Sequence, residues 1–349
     1  MYYSKLPSTF GILYSDLLRI HEGSFIDFLG AMGRGGTFQV RLIKGNPYVY
    51  YRFMDQGRQQ VLYVGRETKE LTAAISEIRS ERQALADRRK ALVATGAFVF
   101  DRESGQILRQ LAFAGVFHAG AVLVGANAFL LYQNALGIRW NPTNVETLRT
   151  GDADIAQFSK FKVGTPLNIQ DRLAEALAVL ETKPLWTGLS NKAKPTKYRR
   201  AGDFDIEFLT PMIGPDTDKT VNLPWLGVSA QPLRFLNYVL EGAIRTVAFA
   251  GTDSFMVNVP DPARFALHKL IVSDRRAKSS RAKKEKDLAH ACALLDWLVD
   301  NEPEWLQDAW QSLETRGPSW VHAAQTSFGK IPQPVQEKVI TLGVLTRST

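Results

Sequence analysis

Two short segments in which acidic and apolar residues alternate constrain this chain more than any other feature. They read GDADIA and FDIEFL. In an extended strand, residues two positions apart point to the same side. The alternation therefore predicts two strands, each with an apolar side for a core and an acidic side. Asp152 and Asp154 share the acidic side of the first strand, and Asp205 and Glu207 share that of the second.

These acidic pairs have two interpretations. Either pair alone is typical of an exposed edge strand, where solvent screens the charges. If the two strands are neighbours, however, like charges so close together raise the free energy unless a cation neutralises them. Carboxylate oxygens are the ligands that Mg²⁺ prefers. A glycine element upstream shifts the preference toward this second interpretation.

That element is the segment VLVGANAFLLY, which passes from a predicted strand through Gly125 directly into a predicted helix. Free amide groups at a helix start attract anions, and a glycine lets a phosphate approach the backbone closely. Many strand-to-helix turns contain glycine, so the element is weak alone. It becomes more specific because a strand with the D-x-D pattern follows it.

This order of elements resembles the nucleotidyltransferase superfamily typified by DNA polymerase beta. In that superfamily, Gly-Ser at a helix start precedes a D-x-D strand and a third carboxylate on a later strand. The segments VGANAFLLYQNALGIRW, RTGDADIA and IEFLTP resemble more closely a bacterial nucleotidyltransferase-fold family named after a Geobacter protein, over roughly residues 95–300. The resemblance implies an α+β fold, with a polymerase-beta-like core of a mixed sheet and flanking helices.

The resemblance also implies roles for individual residues. Asp152 and Asp154 take the positions of the metal-binding pair, and Glu207 takes that of the third carboxylate, with Asp205 as second choice. The resemblance thus makes Asp152, Asp154 and Glu207 both catalytic residues and metal ligands. The implied cofactor is a pair of Mg²⁺ ions, or Mn²⁺ in their place.

The implied nucleotide-binding residues are Gly125, Ala126 and Asn127. Here the chain departs from the family, which has Ser or Thr where this chain has Ala126. The change removes a hydroxyl ligand for the phosphates but leaves the backbone amides in place. Asn127, the next residue, is a candidate substitute for that hydroxyl.

The helical part resembles minimal nucleotidyltransferases that act as toxins in some toxin–antitoxin systems. In those proteins a helix lysine and a later Arg/Lys-Asp pair face the active site. ALHKLIVSDRR supplies Lys269 for catalysis and nucleotide binding, and KEKDLAHA supplies Asp287 after Lys286. The alternative for Lys269 is an ordinary surface lysine.

The chain divides into four predicted units. Residues 1–66 form a small β-rich unit, residues 67–96 a connecting helix, residues 97–260 the nucleotidyltransferase core, and residues 261–349 a helical C-terminal region. The β-rich unit has two possible roles, either binding nucleic acid or packing on the core.

The charge balance points to an anionic partner. The net charge is +8, with 43 Lys and Arg against 35 Asp and Glu. Basic residues that attract phosphate backbones cluster in two segments. They are Lys192, Lys194, Lys197, Arg199 and Arg200 in the first, and Arg275, Arg276, Lys278, Arg281, Lys283, Lys284 and Lys286 in the second. Solvated basic faces are an equally good interpretation of either cluster alone.

Composition also suggests a location. Cys292 is the single cysteine, so no intrachain disulfide can form, which fits a reducing compartment. The apolar stretch 111–132 contains His118, Asn127 and several glycines, and it reads as the end of a helix, a strand and a second helix rather than a membrane span. We therefore expect a cytoplasmic protein without a membrane partner.

Together these features predict a metal-dependent nucleotidyltransferase. It would move a nucleoside monophosphate from an NTP to an acceptor hydroxyl, with RNA, and tRNA in particular, as the expected acceptor. Toxicity and an antitoxin partner are implied by resemblance alone. The alternative is a catalytically inactive nucleotidyltransferase fold that serves as an RNA-binding or regulatory module. Zinc-ligand spacing among the histidines and the GxxxxGK[ST] phosphate loop are both absent from the sequence.

Overall fold

The structure is a computed structural model that describes residues 2–23, 36–55, 58–142, 151–160, 168–185, 195–277 and 280–345. Within these ranges the chain builds a mixed sheet with helices around it, which confirms the predicted α+β class.

The elements follow one another in three groups. The first contains β1 (Tyr3–Lys5), α1 (Ser8–Gly23), β2 (Thr37–Ile43), β3 (Asn46–Asp55), β4 (Arg58–Arg66) and α2 (Lys69–Ala94). The second contains α3 (Arg102–Phe113), β5 (Val122–Val124), α4 (Gly125–Ala135), β6 (Ile138–Trp140), β7 (Asp152–Ala156), α5 (Ile169–Val179), β8 (Lys183–Leu185), β9 (Lys197–Arg199), β10 (Asp205–Pro211), β11 (Val221–Leu223), β12 (Val228–Leu233), α6 (Leu236–Leu240), β13 (Ile244–Ala250) and β14 (Asp253–Val259). The third contains α7 (Pro262–Arg275), α8 (Arg281–Asn301), α9 (Pro303–Glu314), α10 (Pro318–Phe328) and α11 (Gln333–Thr341).

The central sheet is built around β7 and β10, which pair in parallel. β5 lies antiparallel on the outer side of β7. On the outer side of β10, β9 pairs antiparallel with its first half and β12 pairs parallel with its second half. The apolar residues Ile155, Ile206 and Phe208 are fully buried, because the apolar side of both strands faces the main core.

The apolar stretch before β7 folds as predicted. It contains the end of α3, the buried strand β5 and the start of α4. Among the described residues, no helix combines the length and the apolar character needed to cross a membrane. The predicted hairpin around Gly251 is also present, because β13 pairs antiparallel with β14.

The N-terminal residues differ from the predicted β-rich unit. Only β2, β3 and β4 form the expected antiparallel sheet, while α1 precedes it as a helix of 16 residues. Phe10, Tyr14 and Leu17 recur at helical spacing along α1 and are buried against Val247 and Phe249 of β13. β1 pairs with β6, so the first residues complete the edge of a strand from the central part of the chain.

The C-terminal part is helical, as predicted. Asp261 caps α7 by accepting a hydrogen bond from the backbone N–H of Arg264 at 2.9 Å, and Pro262 follows at the first helical position. α7 packs against α8, α9 and α10. This packing fixes the buried side of α7, which carries Lys269.

Candidate active site

The acidic sides of β7 and β10 meet at the centre of the sheet. The parallel register places Asp205 opposite Asp152 and Glu207 opposite Asp154. Directly opposed residues of paired strands project to the same face. Four carboxylates therefore share one face of two neighbouring strands, as the alternation and the resemblance together predict.

Two cations from β9 neutralise Asp205. Arg199 Nε lies 2.7 Å from one of its carboxylate oxygens and Lys197 Nζ lies 2.9 Å from the other. The hydrogen bond from Arg199, followed by that from Lys197, lowers the pKa of Asp205. Lys197 is 3.9 Å from the carboxylate of Glu207, so Glu207 has a weaker cationic contact than Asp205.

The surroundings of Asp154 disfavour its negative charge. Burial, and next the neighbouring charges of Asp152 and Glu207, raise its pKa from 3.8 to about 7. Lys269 and Lys197 act in the opposite direction but do not cancel this effect. Burial likewise raises the pKa of Glu207. Burial and the neighbouring carboxylates thus disfavour the charged form of Asp154.

A divalent cation fits this donor set. Across the described ranges, no group of three or more His, Cys, Asp or Glu side chains is arranged to hold a metal ion by itself. Mg²⁺, however, is commonly bound by one or two carboxylates together with water and substrate phosphates. A cation beside Asp154 would favour its charged form, and all four carboxylates of this face offer oxygen.

Gly125 lies against Asp154, at the first residue of α4. Its φ is +70°, a left-handed conformation that glycine adopts without strain. A Cβ atom at this position would overlap the carboxylate of Asp154. No side chain caps the start of α4, so no capping side chain occupies its first backbone amide groups. Both the backbone conformation and the contact therefore require glycine.

The structure gives Asn127 a role other than the predicted substitute for the missing hydroxyl. Its side chain is buried, and Nδ2 donates a hydrogen bond to the backbone carbonyl of Asp152 at 2.7 Å. Asn127 thus ties the start of α4 to β7. The methyl group of Ala126 offers no polar contact, so only the backbone amides of this turn remain for an anion.

Lys269 is buried rather than a surface lysine. Its side chain is one tenth exposed, and Nζ lies 2.7 Å from the carboxylate of Asp287 on α8. Arg276 binds the other oxygen of the same carboxylate. Burial also lowers the pKa of Lys286, and the charges of Asp152 and Asp154 partly reverse this effect. Lys269 and Lys286 therefore place positive charge beside the acidic face, as the resemblance implies for Lys269.

A cavity of about 300 Å³ opens between the sheet and α7. The lining is mostly apolar, with Asp154 and Gly125 at the sheet and basic residues from α7 and the loop after β12. The lining residues are Val124, Gly125, Asp154, Leu209, Leu233, Arg234, Phe235, Leu236, Val239, Phe265, His268, Lys269, Val272, Arg275 and Arg276.

His268 has no zinc-ligand spacing with the other histidines of the sequence, yet it lies in the cavity wall. Its Nδ1 is buried and has no hydrogen-bond partner. Burial, and next the charge of Lys269, lowers the pKa of His268 to about 3, so the ring is neutral at ordinary pH. The neutral ring therefore adds no charge to the cavity wall.

The sequence predicts Lys197 and Arg276 only as members of the two basic clusters. Their charge was visible in the sequence, but their partners Asp205 and Asp287 were not, because each pair joins different elements. Lys192, Lys194 and Lys278 lie outside the described residues.

Comparison with known proteins gives one family. A nucleotidyltransferase family model matches residues 102–315, which is more than half of the chain. No curated protein matches, and no solved structure matches either. The matched range contains the carboxylates of β7 and β10, Gly125, and the lysines of α7 and α8.

Replacing Asp154 by Asn should stabilise the metal-free protein. Because its pKa is about 7 in the folded chain and near 3.8 when exposed, ionised Asp154 opposes folding. This cost develops as the pH rises from about 4 to about 7 and is complete above that window. We expect Asp154→Asn to add about 1–3 kcal/mol to the free energy of unfolding at pH 8, and progressively less toward pH 4.

The measurement is urea unfolding in the presence of a chelator at several pH values. Asp203, whose side chain is 89% exposed, is the matched control, and Asp203→Asn should change stability little. An Asp154→Asn protein no more stable than the wild type at pH 8 would show that ionised Asp154 does not oppose folding.

Proposed function

Because the chain belongs to the nucleotidyltransferase family, we propose that it moves a nucleoside monophosphate from an NTP to an acceptor hydroxyl. One observation carries the proposal. Asp152, Asp154 and Glu207 share one face of two parallel strands, beside a helix start that begins with Gly125 and lacks a side-chain cap.

Asp152, Asp154 and Glu207 would hold two Mg²⁺ ions, or Mn²⁺, together with the phosphates of the substrate. When bound, such ions neutralise phosphate charge and lower the pKa of an acceptor hydroxyl. We favour Glu207 over Asp205 as the third carboxylate, because Arg199 and Lys197 already neutralise Asp205.

In the proposed reaction the acceptor oxygen bonds to the α-phosphorus while the bond from that phosphorus to the β-phosphate oxygen breaks. Pyrophosphate leaves with that bonding pair. The proton of the acceptor hydroxyl would pass to solvent water, because the bound ions would lower the pKa of that hydroxyl. Catalysis would rest mainly on positioning and charge neutralisation.

The nucleotide would lie between α4 and α7. The amides at Gly125, Ala126 and Asn127 are suited to the phosphates, as is the ammonium group of Lys269. Asp287 holds that ammonium group in place, so little side-chain entropy would be lost on binding. The apolar cavity offers room for the base and sugar.

The acceptor we propose is RNA, and tRNA first. The net charge of +8 and the basic residues around the cavity favour a polyanionic acceptor over a neutral one. A cytoplasmic location is part of the same proposal.

A radiolabel screen tests the activity. Purified protein with Mg²⁺ and each of the four labelled nucleotides should label cellular RNA or protein. Asp152→Asn and Glu207→Gln should each reduce transfer at least 100-fold, because each removes charge that would hold the ions. The exposed Asp203 again supplies the control, and Asp203→Asn should keep full transfer.

The inactive-module alternative is favoured by Ala126, which removes a phosphate ligand that the family usually has. It predicts a different outcome of the same screen. A folded sample that labels nothing with any nucleotide, yet binds RNA equally well with and without Asp152→Asn, would support the module and remove the enzyme.

Gly125→Ala should abolish nucleotide binding out of proportion to its effect on stability. The new Cβ would displace the Asp154 carboxylate, and the left-handed backbone would add strain of about 1–2 kcal/mol. Gly214 is the matched control, because it has a φ of +87° with no atom in the way of a Cβ. Gly214→Ala should therefore introduce the same kind of backbone strain without a steric clash.

Calorimetry with Mg²⁺ and nucleotide, alongside urea unfolding, separates the two effects. The expected result is lost binding in Gly125→Ala and intact binding in Gly214→Ala. Intact binding in both variants would place the nucleotide elsewhere.

A toxin role rests on the resemblance alone and is proposed as a separate hypothesis. Induced expression in a bacterium should arrest growth, because modified tRNA no longer supports translation, whereas the Asp152→Asn protein should not. Growth curves and viable counts measure this effect. Normal growth with the intact protein would remove the toxin idea and its antitoxin, without affecting the proposed transfer reaction.

A further inference from the structure

The sheet formed by β2, β3 and β4 has one covered face and one open face. Phe38, Val49 and Tyr51 lie on the covered face and pack against Ile75 of α2. Because strand residues alternate, the residues between them lie on the opposite face. This cluster is separate from the main core, so the sheet packs on α2 through its covered face and leaves the other face open.

The open face carries three tyrosines. The register pairs Tyr50 with Tyr63 directly, and Tyr48 lies on the same strand two residues away. The ring of Tyr63 lies 5.5 Å from that of Tyr50 and 6.1 Å from that of Tyr48. Tyr63 is 56% exposed, so aromatic surface faces solvent. We call these three residues the tyrosine cluster.

Arginines surround the tyrosine cluster. The guanidinium of Arg41 lies 5.1 Å from the centre of the Tyr50 ring. Arg52 pairs with Val61 across the strands, and Arg66 pairs with Tyr48, so both share the open face. Residues 36–53 and 59–66 contain no Asp or Glu. Cross-strand aromatic pairs alone can stabilise a sheet, but sheet stability does not require the charged residues among the tyrosines to be basic.

Exposed aromatic rings among arginines match the chemistry of a single-stranded nucleic acid. Bases stack on aromatic side chains, and the backbone phosphates pair with cations. Double-stranded RNA offers no unstacked base for such rings. Acidic groups of a protein would pair with the arginines but would not stack on the open rings as bases do.

We propose that the open face of this sheet binds single-stranded RNA, with bases stacked on Tyr50 and Tyr63 and phosphates paired with Arg41, Arg52 and Arg66. As a binding site for the acceptor strand, the surface rests on the proposed function. The binding itself needs neither nucleotide nor metal, so it can be measured when no transfer occurs.

The test is fluorescence anisotropy of a labelled 12-nucleotide RNA with the full chain, without NTP and with a chelator. The wild type should bind the single strand more tightly than the same sequence in a duplex. The double variant Tyr50→Leu, Tyr63→Leu keeps apolar side chains on the strands but removes the rings, and we expect its Kd to be at least tenfold higher. Leu42, 76% exposed on the opposite side of β2, provides the control Leu42→Ser, which should bind like the wild type.

The salt dependence separates stacking from charge. Arg41→Gln should reduce the slope of log Kd against log salt by about 0.7, as expected for one lost phosphate contact on a single strand. The tyrosine variant should keep the wild-type slope. Circular dichroism and the unfolding midpoint confirm that each variant is folded.

Equal affinity of the wild type and the folded tyrosine variant, or equal affinity for single strand and duplex, would overturn the proposal. Absence of transfer in the radiolabel screen together with ring-dependent RNA binding would instead remove the enzyme and keep the surface. Transfer without ring-dependent RNA binding would keep the enzyme and remove the proposed RNA-binding surface.

Discussion

The parallel pairing of β7 with β10 is the interaction on which the rest of the structure depends. The register holds Asp152, Asp154 and Glu207 together although their charges repel. The force that opposes this repulsion comes from the other side of the same strands, where fully buried residues such as Ile155 and Phe208 pack in the main core. Apolar burial on one face thus makes an electrostatically unfavourable cluster possible on the other.

Neutralisation of this cluster is uneven, and the unevenness has a structural cause. β9 lies beside the first half of β10, so its Arg199 and Lys197 reach Asp205. Asp154 lies between Glu207 and the start of α4, where Gly125 contributes no side chain. Burial and like charge therefore act on Asp154 with little relief. A site built in this way is suited to a positively charged ligand.

The sequence predicts those features that depend on local pattern. Period-two alternation places Asp152, Asp154, Asp205 and Glu207 on acidic sides, and helix-cap chemistry locates the start of α7 at Asp261. The choice between Asp205 and Glu207 has no local signal, because both lie on one side of β10. Only contacts with β9, a strand of three residues, distinguish them.

The helix α1 shows a different kind of error. Its apolar residues recur at helical spacing in the sequence, but the strand-like segments that follow it dominate the pattern of residues 1–66. The partners of Asn127 and Lys269 also required coordinates, because Asn127 reaches a backbone carbonyl and Lys269 a carboxylate on another helix. The roles of the acidic residues in chemistry remain predictions.

The anchoring of the first residues has a practical consequence for dividing the chain. The matched range starts at residue 102, yet β1 closes the edge of β6 and the Tyr14 hydroxyl accepts a hydrogen bond from the Val247 backbone. Asn301 near the end of α8 donates to the Tyr3 hydroxyl at 3.0 Å. A fragment trimmed to the family boundaries would thus expose an unpaired strand edge and the apolar surface under α1, both of which favour aggregation. A fragment for expression should therefore keep the residues of β1 and α1 together with the matched range.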